Sequence, residues 1–196
     1  MLWLKKILAE QRIHFFDHLA CMEDANFLTG FLSYQTAPTK YCNKSATLVN
    51  LNWERRELLS HWSLHRDHME AELGLRGYRI PNRPLVLFYH PLKLIKILKK
   101  PSIQKFLASL GYGQCSSLEE YLAVLGAHFE REQCPHEIGI FLGYPLDDVR
   151  AYMEGAACTK CVGYWKCYNK ACLSKMKFFV YDLSKFFVAG QVLAQN

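Results

Sequence analysis

134-CPHEIGIFLGYPLDDV-149 sets a histidine and a glutamate at the mouth of an apolar run and breaks that run with glycines at 139 and 143. Pro135 suits the first position of a helix, where its missing N–H costs nothing. Residues 136–142 can continue as helix, and Gly143 supplies a stop. Tyr144 precedes a proline and is pushed away from helical geometry. Pro145 then opens a second helix whose first turn holds Asp147 and Asp148, acids that complement the helix dipole. The stretch reads as helix, corner, helix. On the first helix His136, Gly139, Ile140 and Gly143 fall three and four residues apart and share a face, while Glu137 points about 100° away from His136. A glycine inside a helix costs roughly 1 kcal/mol against alanine, so Gly139 needs a close neighbour. Tight packing around a hydrogen-bonded core histidine is the leading reading. A ligand or metal pocket comes next, and general acid–base chemistry last.

Around this block the elements fall into a sequence of short units. Residues 2–32 suggest one or two helices broken near 23-EDAN-26, with Asp24 and Asn26 able to cap the second. In 35-QTAPTKYCNKSA-46, Pro38 and Asn43 predict a turn-rich connection. A strand at 47-TLVNL-51 leads to a long helix, 53–73, whose Leu58, Trp62, Met69 and Leu73 form one stripe; Gly74 and Gly77 end it. The clearest strand is 84-PLVLFYH-90. Helices come next at 91–99 and 102–110, then one from a capping box at Ser116 or Ser117 with Glu119 or Glu120 to about residue 132. After the quoted block, 163-GYWKCY-168 predicts a third strand, and 169–194 a terminal helix. The fold class is α+β (or irregular α/β), predominantly helical, a small sheet of about three strands covered by helices. The chain forms one domain, 1–196, with a helical extension at 1–32 and a core at 33–196.

With 51% hydrophobic and 21% charged residues, the 196-residue chain has a globular composition. The net charge of +6 permits an anionic ligand or nucleic acid, but most lysines are spread out as on any solvated surface, which disfavours nucleic acid as a partner. The opening MLWLKKILAEQR has charges where an export signal runs apolar. The stretch 178-FFVYDLSKFFVAGQVLA-194 is too short and too charged for a comfortable membrane span and reads as a buried terminal helix. The eight cysteines are therefore expected as thiols in a cytoplasmic protein.

The block PHEIGIFLGYPLDDV, with GYWKCY after it, resembles the signature of domain-of-unknown-function family 3793, met mostly in anaerobic Gram-positive bacteria. The similarity extends back through 84-PLVLFYH-90 and 111-GY-112 to 37-APT-39, and forward to Gly190, covering roughly residues 30–194. The family pattern has a histidine, often with a cysteine, just before its Pro-Thr turn; this chain has Gln35 and Thr36 there. Cys167 stands where the family carries an aliphatic residue. The resemblance implies the fold boundaries and cytoplasmic placement, and brings no activity, cofactor or partner with it.

His14, His18 and Cys21 lie at i, i+4 and i+7, and His61, His65 and His68 repeat that spacing. Such stripes suit a metal held between helices, although common residue types also reach these spacings by chance. The set 158-CTKCVGYWKCYNKAC-172 opens with Cys158 and Cys161 at chelating spacing, but the second pair, Cys167 and Cys172, is too widely spaced for an ordinary zinc site. Cys158 and Cys161 are the low-ranked cysteine ligands. Searches for a phosphate-binding glycine loop, a nucleophile elbow or a zinc-protease motif find nothing. Phe15, Phe16, Phe178, Phe179, Phe186 and Phe187 occur at helical spacings that suit a core.

The sequence thus points to a binding or accessory protein, with a small-molecule, metal or protein ligand. Its site is expected around His136, Glu137, Gly139, Gly143, Tyr144 and Asp148, near Trp165 and Tyr168; no cofactor is assigned. The alternatives are a thiol–histidine enzyme using His136 with Cys134 or Cys161, and nucleic-acid binding through Lys160, Lys166, Lys170, Lys175, Lys177 and Lys185.

Overall fold

The apolar run at 84–90 is the middle strand of a three-stranded antiparallel sheet. In the computed structural model, which describes residues 2–53 and 55–194, β1 (Ala46–Asn50) and β2 (Arg76–Arg79) pair on either side of β3 (Leu85–Tyr89). Val86 and Phe88 enter one core with Leu28, Phe31 and Trp62. Leu87 enters a second core with Leu94, Leu125 and Phe141. A strand buried on both faces has no polar side to show, which is why its sequence is continuously apolar.

On the first face lie α1 (Leu2–Ala20), α2 (Asp24–Tyr41), α3 (Leu58–Leu64) and α4 (Arg66–Leu73). On the second lie α5 (Pro91–Leu98), α6 (Pro101–Leu107), α7 (Leu118–Arg131), α8 (Ile138–Phe141) and α9 (Leu146–Met153). A single π-turn, Ala108–Tyr112, ends α6, with Gly111 at φ 95°. A two-stranded ribbon, β4 (Cys161–Val162) and β5 (Lys166–Cys167), then leads to α10 (Ala171–Leu193), which returns to pack along α1 and α2. The protein is α+β and predominantly helical. No helix among the described residues is long and apolar enough to cross a membrane.

Several local expectations are corrected. The third strand of the sheet is β2, and 163–168 contributes only to the separate ribbon. Residues 35–41 are the last turns of α2. Pro38 removes one helix hydrogen bond, but Thr36, Ala37, Pro38 and Thr39 are all buried, and that packing outweighs the propensity. The N-cap of α2 is Glu23 without a side-chain bond; Asp24 instead pairs with Arg56 at 2.6 Å. The 53–73 helix is two helices broken at His65, although Leu58, Trp62, Met69 and Leu73 are buried as expected. The capping box is Ser117 with Glu120. The terminal helix is buried along one side only, with Phe179 and Phe187 exposed.

Strand β2 is defined by tertiary contacts. Gly77 lies under the Trp62 ring, where an added Cβ would stand 2.6 Å from Cζ2. Its N–H donates to Glu70 Oε1 at 2.9 Å, and its carbonyl accepts from Arg66 at 2.7 Å. Trp62 packs edge-on against Phe88 and has no room to retreat. Gly77→Ala is expected to lower stability by about 2 kcal/mol, seen as a lower urea midpoint with an unchanged denaturant slope.

Candidate functional site

The helix–corner–helix forms as the spacing predicts, in a shorter version. Residues 136 and 137 form a turn, α8 spans Ile138–Phe141, and Gly143 takes φ 80°. The chain then reverses through Tyr144 into α9, whose N-cap is Pro145. Ser45, at the edge of β1, donates to the Phe141 carbonyl at 2.6 Å. A Cβ on Gly143 would lie 2.9 Å from that hydroxyl oxygen. Gly143 therefore serves the seam between the corner and the sheet.

Gly139 faces elsewhere. A Cβ there would meet Val149 at 2.9 Å and the Tyr144 ring at 3.0 Å. Its bare backbone lets Tyr144 fold back across α8 and stack on Trp165, with ring centroids 5.0 Å apart at 30°. Trp165 in turn meets the edge of Phe178 at 4.5 Å. The two glycines, expected to share one face, serve two different contacts, and neither looks into open solvent.

Between the corner, α9 and the ribbon lies a cavity of about 320 Å³, lined mainly by apolar atoms. Its walls include His136, Gly139, Tyr144, Tyr152 and Trp165. His136 is exposed and sets its ring edge-on to Tyr152, centroids 5.1 Å apart, so it is not the core histidine expected. Lys166 reaches over the Tyr152 ring at 5.3 Å, and Cys134 also lines the cavity. Burial pushes the Tyr144 hydroxyl up to about 12, aided by Tyr181 and Cys134. Desolvation, with Glu137 and Glu132, also pushes the Cys134 thiol up, the opposite of the activation a helix N-cap would give a nucleophile.

The carboxylates at the corner are already engaged. Asp148 is 3% exposed. Its Oδ2 accepts the Trp165 indole N–H at 3.0 Å, and its Oδ1 accepts the N–H groups of Tyr168 and Asn169 and the Asn169 amide. It holds the ribbon against α9 and so makes the cavity wall. Glu137 turns away from His136 into the core, as its angular offset predicts. There it accepts from Tyr112 at 3.1 Å and contacts His128 Nδ1 at 2.5 Å. Glu137, Gly143 and Tyr168 thus support the site without lining it.

The proposed metal ligands are not gathered. Among the described residues, no group of three or more His, Cys, Asp or Glu side chains comes together in a way that could hold an ion. The rings of His61 and His65 stack at 6.4 Å, and His61 faces Asp24 at 3.8 Å. Cys158 is exposed, while Cys161 lies across the ribbon from buried Cys167. The Cys161 thiol is raised by desolvation and by that neighbour.

Sequence reasoning did not place Tyr152 or Val149 in the site. Tyr152 lies on α9 four residues from Asp148 and three from Val149, spacings that put it on a face with each and offered the signal.

Residues 32–196 match the family described as Protein of unknown function (DUF3793). No curated protein and no solved structure matches the chain. The cavity residues, from Cys134 to Lys166, fall inside the matched span, and the chain belongs to that family.

Proposed function

We propose that this protein is a binding protein for a small, flat, largely apolar molecule carrying an anionic substituent. The observation that carries the reading is the 320 Å³ cavity at the PHEIGIFLGYP corner, faced by Tyr144, Tyr152 and Trp165 with Lys166 at its margin. Ligand sites combine such apolar walls with a few polar groups that set orientation. Aromatic faces favour a planar guest, and the Lys166 ammonium favours an anion at one end. Asp148, the carboxylate in the wall, has its oxygens occupied by ribbon donors, which leaves Lys166 as the charge a guest would meet.

The thiol–histidine alternative has Cys134 and His136 in the same cavity. Against it, the adjacent acid is turned into the core and the thiol is raised rather than lowered. Nucleic-acid binding is weakened by the intramolecular contacts of three of its lysines, of which Lys185 is drawn into the fold while Lys160 and Lys177 stay at the surface. Lys160 donates to the Asn169 carbonyl, Lys177 sits over Trp165, and Lys185 sits over Tyr34 and Tyr164.

Calorimetric titration with 1-naphthalenesulfonate and with uncharged 1-naphthol tests the reading. Tyr152→Ala is expected to weaken both about tenfold, equivalent to about 1.4 kcal/mol. Lys166→Met should weaken the sulfonate alone. Equal binding by wild type and Tyr152→Ala would remove the cavity from consideration. Anaerobic purification, then an absorbance spectrum and elemental analysis, would report a resident chromophore or metal directly.

A further inference from the structure

Along α10 the residues Leu173, Met176, Val180, Leu183 and Phe187 recur at alternating intervals of three and four. That is the seam spacing of one helix packing along another. The helix is already docked on the ribbon, α1 and α2 through a different stripe that includes Ser174, Phe178, Tyr181, Ser184 and Val188. The seam residues point away from it: Leu173 and Phe187 are each 55% exposed, Met176 64% and Val180 46%. Phe179 flanks the seam, and exposed Tyr41 meets Phe187 edge-on at 6.0 Å. A helix that satisfies one apolar stripe internally and presents a second, regularly spaced one has two partners specified in its sequence.

We propose that this face of α10 is the interface of a homodimer, with the second copy bringing the same stripe across a two-fold axis near Val180. Three observations select a second copy. The first is area: the exposed parts of these side chains leave on the order of 600 Å² of apolar surface in water, at the upper limit for a monomer and approaching the ~800 Å² each partner gives to a stable interface. The second is symmetry. Leu173 and Phe187 lie equally far from Val180, so a two-fold axis there sets the leading half of one seam against the trailing half of the other. Such an isologous contact closes on itself without leaving an open patch. The third is charge. All five seam positions are uncharged, and Lys177, exposed beside Met176, and Lys185 lean toward the Trp165, Tyr34 and Tyr164 rings, so no seam position sets like charge against its copy.

The test is sedimentation velocity of the full chain from roughly 1 to 100 μM, a range that spans micromolar dissociation constants. Wild type is expected to sediment as a dimer. Val180→Lys and Val180→Asp, each at an exposed site, should sediment as monomers with unchanged far-ultraviolet circular dichroism, because each sets two like charges at the axis. An equimolar mixture of the two variants should recover the dimer. A wild type that stays monomeric throughout overturns the proposal, as does a dimer that survives either substitution or a mixture that stays monomeric. Vesicle flotation with phosphatidylserine liposomes is the further arm: binding by wild type that Val180→Asp abolishes would make this face a membrane surface and overturn the dimer.

Discussion

Lys44→Met is expected to stabilise the protein by about 3 kcal/mol at pH 6 and to flatten its response to alkali. Lys44 is 3% exposed. Its ammonium donates to the Ala46 carbonyl and reaches Thr47 Oγ1 at 3.4 Å. Neither partner is an anion, and a buried charge without a counter-charge is destabilising. Burial, and after it repulsion from Lys185, brings its pKa down to about 7. A depressed cation pKa means the unfolded chain binds more protons than the folded one between pH 7 and the ordinary lysine value near 10.5. Wild-type stability should therefore rise with pH from about 7, by up to ~1.4 kcal/mol per pH unit from this group. Below pH 7 the full penalty is present. Lys185, pulled down to about 8 chiefly by burial, adds a second, later rise of the same sign. The raised thiols of Cys115, Cys134 and Cys161 and the buried tyrosine hydroxyls act oppositely above pH 9 to 10, so pH 6 to 9 is the readable window. Methionine retains the apolar stem and loses the proton and its two bonds, which is why the gain is set below the full shift. Urea unfolding across that window checks both claims. A Lys44→Met variant less stable than wild type at pH 6 would show that the two bonds outweigh the buried charge.

Neither Lys44 nor β2 was legible in the sequence, for related reasons. A lysine between Asn43 and Ser45 looks like any loop cation, and its burial is a tertiary effect that also brings Lys185, more than a hundred residues away, near enough to repel it. Arg76–Arg79 has two arginines and a glycine in four residues and no visible alternation. It becomes a strand because β3 offers a free edge and because Trp62, Glu70 and Arg66 converge on Gly77. Pro38 misled in the same way, since local propensity is a weak prior against a fully buried helix turn. What the sequence does carry is local chemistry of high specificity: the Ser117–Glu120 cap, the doubly buried β3, and the glycine-stopped corner ending at Gly143. The site falls between these cases. His136, Gly139, Tyr144, Asp148 and Trp165 do line one cavity, but periodicity alone could not separate Gly139 from Gly143. One glycine yields to an aromatic ring folding back on its own helix, the other to a hydroxyl from a distant strand. The exposed seam on α10 was read as core because an apolar helix stripe specifies burial without naming what buries it.

Asp148→Ala is expected to cost about 4 kcal/mol and to remove the cavity with it. One carboxylate accepts four hydrogen bonds from three residues of the ribbon and its exit: the Trp165 indole, the Tyr168 and Asn169 backbone, and the Asn169 amide. Hydrogen bonds to a charged acceptor contribute about 1.5–3 kcal/mol each, and donors left unpaired in a buried site add their desolvation penalty. The four are not additive, because once the ribbon lifts, the freed N–H groups reach water. Asp148→Asn is a sharper probe, since it preserves shape but replaces one acceptor oxygen with a donor. Whichever way the amide turns, an N–H must then face the Trp165 indole or the backbone donors, so this variant should lose nearly as much stability as the alanine. Trp165→Phe removes a single donor and leaves the other three in place, and should lose less than either. The ordering in urea midpoints, Asp148→Ala at or just below Asp148→Asn and both well below Trp165→Phe, distinguishes a multivalent acceptor from an ordinary buried polar group. Loss of naphthalenesulfonate binding in Asp148→Asn, with far-ultraviolet circular dichroism retained, would tie the carboxylate to the cavity wall. If Asp148→Asn keeps both wild-type stability and binding, the ribbon is held by the stacking of Trp165 on Tyr144 and its edge-on contact with Phe178, and the acid is dispensable.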